Sequence, residues 1–224
     1  MASASATAVR VVMFDLDGTL VDTMGGFADL AAEVMAARHG VEWAWARGKY
    51  LETSGLPFCK QLEVIFPGHA GNGAASDEFE ARKLAVCEAT SMDARTVEGL
   101  EGLRGLGLKL VVSSNTGQTV VDAFVEREGF RFDLALGFDP AQGLGKGRPH
   151  VERALAVFGV AREELLFVGD SLKDADLADE CGVPFIGRLG TFREADFRRR
   201  DAAAICVPHV AELPALLTRN QSAA

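Results

Sequence analysis

The sequence is poor in cysteine, in long apolar runs and in positive charge. Its four cysteines, Cys59, Cys87, Cys181 and Cys206, stand far apart with no Cys-x-x-Cys pair. Three of them sit among apolar neighbours, so the expectation is buried free thiols in a reducing compartment rather than a disulfide framework. No stretch of about 18 apolar residues occurs, and the start "MASASATA" lacks both a charged n-region and an apolar h-region. A cytoplasmic protein with a frayed N-terminus, away from membranes, is expected. Lys and Arg number 23 against 32 Asp and Glu, a formal net charge of −9, and the run Arg198 to Arg200 is followed at once by Asp201. A broad basic surface for nucleic acid is thereby excluded. A compact anionic ligand needs a local cation or a few well-placed Lys and Arg residues to offset the acidic field.

What the chain does have is apolar material: 48% of its 224 residues are hydrophobic, enough for one sizeable core or a core with a smaller appendage. Val9 to Phe14 is a nearly continuous apolar run, which suits a strand buried on both faces of a parallel sheet. From Asp22 the period changes: Phe27, Leu30, Ala31, Val34 and Met35 recur at helical spacing up to Gly40, a C′ glycine. Phe58, Leu62, Ile65 and Phe66 repeat that pattern before the loop-like "PGHAGNGAAS", and a weaker helical segment follows from Asp77 to about Ser91. Beyond this block "LKLVVSSN", "ELLFVGD", "VPFIG" and "AAICV" read as strands separated by helical patterns. The prediction is an α/β fold, a Rossmann-like doubly wound parallel sheet formed by residues 1–20 and 94–224, with residues 21–93 inserted as a helical cap domain.

In an open α/β sheet, ligands bind beyond the carboxyl ends of the strands, and those ends are rich in polar groups here. The first strand runs into Asp15-Leu16-Asp17-Gly18-Thr19 and another into Ser114-Asn115-Thr116. A loop carries Lys146-Gly147-Arg148-Pro149, and a later strand ends in Gly169-Asp170-Ser171 with Asp174 four residues on. Two carboxylates about 4 Å apart repel by roughly 4 kcal/mol at an effective dielectric near 20. A hard divalent cation with oxygen ligands relieves that repulsion.

"DLDGTL", "VVSSN", "GKGRP" and "GDSLKD", in that order, resemble the four motifs of the haloacid dehalogenase superfamily, phosphatase branch. The resemblance spans Asp15 to Asp174 and implies a mobile cap, Mg²⁺ and an aspartyl-phosphate intermediate. Asp15 matches the nucleophile, and Asp17 the acid and base for leaving group and water. Ser114, Gly18, Thr19 and Asn115 match groups that contact the phosphoryl oxygens and substrate, and Lys146 the compensating cation. Asp15, Asp17 through its backbone carbonyl, Asp170 and Asp174 form the expected metal set.

The loop departs from the family's usual Lys-Pro-x-Pro. Two alignments compete, with either Lys146 or Arg148 as the active-site cation; matching Lys146 leaves Arg148 as a substrate contact. His150 reads as a helix cap or a substrate contact. "TSGLPFCK", Thr53 to Lys60, resembles the cap loop that meets substrate in this branch, with Lys60 its most suggestive member. Trp43, Trp45 and Tyr50 read as cap packing, and His39, His69 and His209 carry no assigned chemistry. The expected activity is Mg²⁺-dependent hydrolysis of a small phosphorylated metabolite, similar to phosphoglycolate or sugar phosphatases. A phosphosugar mutase of the same fold and a non-catalytic phospho-ligand binder are the alternatives.

Overall fold

A computed structural model describes residues 9–222. Their contacts divide the chain into two compact units, one made of the described residues up to Leu20 and from Met92 onward, the other Val21–Ser91. The expected frayed N-terminus, Met1 to Ala8, lies outside the described residues. No described helix is long and apolar enough to cross a membrane.

The first unit is built on strands β1 (Val11–Phe14), β2 (Lys109–Gly117), β3 (Leu134–Phe138), β4 (Leu165–Gly169), β5 (Phe185–Arg188) and β6 (Cys206–Val207). They form one parallel sheet in the order β3-β2-β1-β4-β5-β6. The apolar run of β1 suits its place: Val11 to Phe14 pair with Lys109 to Val112 on one side and Leu165 to Val168 on the other. All four residues are fully buried. Val11, Met13, Val111, Leu165 and Phe167 pack in one cluster with Val151, Ala154, Ala178 and Cys181, while Val12, Phe14, Leu110 and Val112 are buried on the opposite side of the pleat.

The second unit is helical: α1 (Met24–His39), α2 (Trp43–Glu52), α3 (Phe58–Ile65) and α4 (Asn72–Ala89). Gly40 closes α1 in the left-handed conformation, with its N–H on the Ala36 carbonyl. Phe27, Tyr50, Phe58 and Phe79 make an aromatic core among Leu30, Val34 and Leu62, and the rings of Phe58 and Phe79 lie 4.2 Å apart. The remaining helices belong to the first unit: α5 (Ala94–Gly105), α6 (Gln118–Glu128), α7 (Arg148–Phe158), α8 (Leu172–Cys181), α9 (Glu194–Arg200) and α10 (Leu213–Ser222).

Several local readings are corrected. Helix α2 had no clear periodicity because only Ala46 and Tyr50 are buried along it; it is started by Glu42, whose carboxylate accepts the N–H groups of Ala44 and Trp45. Tyr50 is core, but Trp43 and Trp45 lie off that buried face and are exposed. Helix α4 begins at Asn72, inside the glycine-rich stretch read as a loop. There Asn72 is buried and its amide bonds Glu63 and the Phe66 carbonyl, which holds the helix start against α3. Strand β3 escaped notice because it is a half-buried edge strand interrupted by Gly137. All four cysteines are free, yet only Cys181 is buried, since Cys59 lies on the exposed side of α3.

Candidate active site

The carboxyl ends of the central strands bring the acidic motifs together. Asp15 continues β1 by one ladder step, its N–H donating to the Val168 carbonyl at 2.9 Å, and Asp170 stands one residue beyond β4. Asp174 is turned back by a reciprocal cap at the start of α8. Ser171 Oγ accepts the Asp174 N–H at 3.1 Å and donates to Asp174 Oδ2 at 2.7 Å, and the Ser171 N–H reaches the same oxygen at 3.2 Å. Asp15, Asp170 and Asp174 are all buried, and each offers an oxygen within 4.8 Å of the others.

Among the described residues one ammonium forms ion pairs with this cluster. Lys146 Nζ lies 2.7 Å from Asp15 Oδ1 and 2.6 Å from Asp174 Oδ1, with its side chain only 3% exposed. The turn that delivers it depends on Gly147, whose φ of 100° and ψ of −136° are closed to proline and strained for any L side chain. A proline at this first position of the motif would not fit the loop as it stands. Arg148, the rival cation, is not brought to the carboxylates. Its guanidinium donates to the Glu180 carbonyl at 2.8 Å, and Glu180 is six residues, about 9 Å of helix, along α8 from Asp174. Exposed at the start of α7, it also faces Glu152 at 3.8 Å.

The electrostatics follow from burial. Desolvation raises Asp15 well above the ordinary carboxylate range; Lys146 opposes this, while Asp174, Asp170 and Asp17 add to it. Desolvation, then Asp174, push Asp170 up to about 7 against the Thr191 hydroxyl, Lys146 and Arg188. For Lys146 burial acts downward, but Asp15 and Asp174 outweigh it and hold the ammonium above its usual value. Three carboxylates against one ammonium leave two formal negative charges in a buried space. Oxygen-only donors with that charge fit a hard divalent cation such as Mg²⁺.

Asp17 is held apart. Its Oδ2 accepts the Thr116 hydroxyl at 3.1 Å, and its carboxylate does not join the buried trio. Thr116 is available because β2 is irregular at its end: Ser113 pairs with Leu136 and Gly117 with Phe138, four residues of β2 against two of β3. Within that irregularity Ser114 is buried, its Oγ accepting the Thr116 N–H at 3.0 Å, and Asn115 is exposed. Gly18 and Thr19 are buried beside Asp17, and the Thr19 hydroxyl has no partner among the described residues. Lys60 is exposed on α3 of the helical unit.

Two supports were not legible in the motifs. Thr191, beyond β5, puts its hydroxyl 2.5 Å from Asp170 Oδ2. His150 is neither a cap nor a ligand contact but fully buried. Its Nε2 lies 3.0 Å from the Gly137 carbonyl, and its Nδ1 is 2.9 Å from Ser113 Oγ. A carbonyl only accepts, so Nε2 carries the proton and Ser113 donates to Nδ1. Burial lowers His150 to about 4, the Gly137 bond opposing and Lys146 assisting. A neutral imidazole thus ties α7, and the Lys146 turn before it, to β2 and β3.

The family model for haloacid dehalogenase-like hydrolases matches residues 12–188, more than half of the chain. A phosphoglycolate phosphatase of Thiobacillus denitrificans is 29% identical over 94% of this chain and 96% of its own, and one of Escherichia coli O157:H7 is 28% identical over 80% and 81%. Among solved structures, a haloacid dehalogenase-like hydrolase from Streptococcus pneumoniae superposes with a TM-score of 0.77 at 19% identity, covering 93% of this chain and 98% of that one. CbbY from Rhodobacter sphaeroides, solved with phosphate, gives 0.68 at 23% identity, covering 92% and 96%. With its parallel sheet, its motifs at three strand ends and on the loop before α7, and this match, the chain belongs to the haloacid dehalogenase-like hydrolase family, in its phosphatase branch.

Proposed function

We propose that the protein hydrolyses small phosphomonoesters in a Mg²⁺-dependent reaction through an aspartyl phosphate on Asp15. The observation that carries this reading is the buried ammonium of Lys146 between Asp15 and Asp174, beside the third carboxylate, Asp170. Asp15, Asp170 and the Asp17 carbonyl would hold the metal, with Asp174 behind them fixing Lys146. When bound, the ion supplies charge that offsets the carboxylates and the phosphoryl oxygens.

The protein groups then divide the work. Lys146, together with the metal when bound, favours the ionised form of Asp15, and the Asp15 carboxylate attacks phosphorus as the ester P–O bond breaks. Asp17, aimed by the Thr116 hydroxyl, gives its proton to the departing alkoxide. The same carboxylate next takes a proton from water as that water attacks the acyl phosphate, which releases inorganic phosphate and restores Asp15. The Ser114 hydroxyl and the main chain after Asp15 donate to the phosphoryl oxygens, and the unpaired Thr19 hydroxyl is a further donor there.

The phosphoglycolate phosphatases among the relatives support a phosphorylated metabolite of a few carbons as substrate. The test is phosphate release from a panel of 2-phosphoglycolate, glycerol 3-phosphate and hexose phosphates, with Mg²⁺ and with excess chelator. Mg²⁺-dependent release from at least one small ester is expected. Interconversion of hexose phosphates without release would replace hydrolysis with a mutase reaction, and tight ligand binding with no turnover on any ester would replace it with a binding role.

A further inference from the structure

Arg188 ends β5, and neither the metal set nor the proton transfers above employ it. Gly169 pairs with Gly187 across β4 and β5, so Asp170 and Arg188, one residue beyond each, emerge level on neighbouring strands and toward the same face. The guanidinium folds back over Gly190, where a Cβ would collide with Nη1. That glycine leaves the space the guanidinium fills.

Asp170 is already held by the Thr191 hydroxyl, and Arg188 makes no hydrogen bond or ion pair to any described residue. Its Nε is buried without a partner. A half-buried guanidinium whose Nε lacks a partner, and which Asp170 attracts without a hydrogen bond, is better satisfied by an anion that meets it during function. The charge count points the same way. Lys146 and one divalent cation together match the three carboxylates Asp15, Asp170 and Asp174, so Arg188 is a positive charge left over for an anion that arrives with the substrate. Its planar fork suits a carboxylate, which it can bind through two parallel N–H donors.

We propose that Arg188 binds a carboxylate on the part of the substrate that is not transferred, which directs the enzyme to phosphate esters of small hydroxy acids over those of neutral polyols and sugars. This assignment rests on the phosphatase reading.

The experiment compares kcat and KM for 2-phosphoglycolate and glycerol 3-phosphate, esters of similar size with and without a carboxylate, in the wild type, Arg188→Met and Arg188→Lys. The wild type is expected to favour 2-phosphoglycolate in kcat/KM. In Arg188→Met that preference should fall by roughly tenfold to a hundredfold, the size of a lost charge-assisted pair, and the fall should sit in KM for 2-phosphoglycolate rather than in kcat. Arg188→Lys, which retains charge without the fork and safeguards the test if the Met variant does not fold, should recover part of it. An unchanged preference in both variants, a wild type that favours glycerol 3-phosphate, or an equal loss of kcat on both esters overturns the assignment while leaving the phosphatase reading intact. Turnover of neither ester nor of any other phosphomonoester by the wild type defeats both.

Discussion

Lys146 Nζ lies 2.7 Å from Asp15 Oδ1, and the pair is almost wholly shielded from water. In the proposed reaction an ammonium in that position acts on the nucleophile and on the group it attacks, so its loss should appear in the chemical step. Lys146→Ala is expected to lower kcat about 100-fold or more. Arg148→Ala, which removes an exposed guanidinium from the Glu180 carbonyl, should change kcat by less than about threefold. Steady-state kinetics on the best ester of the panel decide it; a larger kcat loss in Arg148→Ala reverses the assignment of the two cations.

Asp15→Asn should abolish turnover, since an amide oxygen does not form the acyl phosphate. The fold should tolerate it well, because burial and three neighbouring carboxylates disfavour the charge at this position. Thermal unfolding without metal is expected at or above the wild-type midpoint, and activity above a few per cent of wild type would show that another group is the nucleophile.

Protons and metal should compete for the cluster. Asp170 rises from 3.8 to about 7 in the folded protein, so the metal-free native state holds a proton there that the unfolded chain releases. Its contribution to stability is fully present below pH 3.8 and is lost as pH rises through about 7. Mg²⁺ needs the carboxylate free, and its apparent affinity should fall about tenfold per pH unit below 7 for each proton displaced. The rise in unfolding midpoint on adding Mg²⁺ should therefore be small at pH 5 and larger at pH 8. A pH-independent rise would refute the competition.

His150 has the opposite sign. Its pKa drops from 6.5 to about 4 on folding, so the stability it contributes is present above 6.5 and lost as pH falls through about 4. His150→Ala leaves the Ser113 hydroxyl and the Gly137 carbonyl without this partner, at about 1–3 kcal/mol for each stranded group. His150→Gln offers one donor and one acceptor and should recover part of that loss while flattening the acid limb of the stability profile. Chemical denaturation at pH 5 and pH 7.5 measures both effects, and a Gln variant with the wild-type acid limb would remove His150 from it.

Thr116→Val deletes the hydroxyl that holds Asp17. With the proposed acid and base no longer aimed, kcat should fall by roughly tenfold to a hundredfold, most for esters whose leaving alcohol is poor. Comparing an alkyl phosphate with p-nitrophenyl phosphate, whose phenolate departs without protonation, separates this from a general loss of structure: equal losses on the two esters would contradict the aiming role.

The sequence by itself determined where the acidic motifs stand, because an apolar run long enough for a buried strand also says which residue follows it. Asp15 after Val11–Phe14 and Asp170 after Leu165–Gly169 were legible in that way. The helical character of residues 24–39 and 58–65 was legible as well, since each buries one periodic face. Local pattern carries no information on what meets across the sheet. That Lys146 rather than Arg148 reaches Asp15 depends on a glycine dihedral and on the direction in which α7 leaves it. Thr116 on Asp17, 99 positions away, and Thr191 on Asp170, 21 away, depend on a strand irregularity and on register between neighbouring strands. Strand β3, half-buried and interrupted by Gly137, exists because β2 presents a free edge to it, and Arg188 acquires its meaning only by emerging level with Asp170. Such pairings are set by the sheet's hydrogen-bonding register, which only the folded chain possesses.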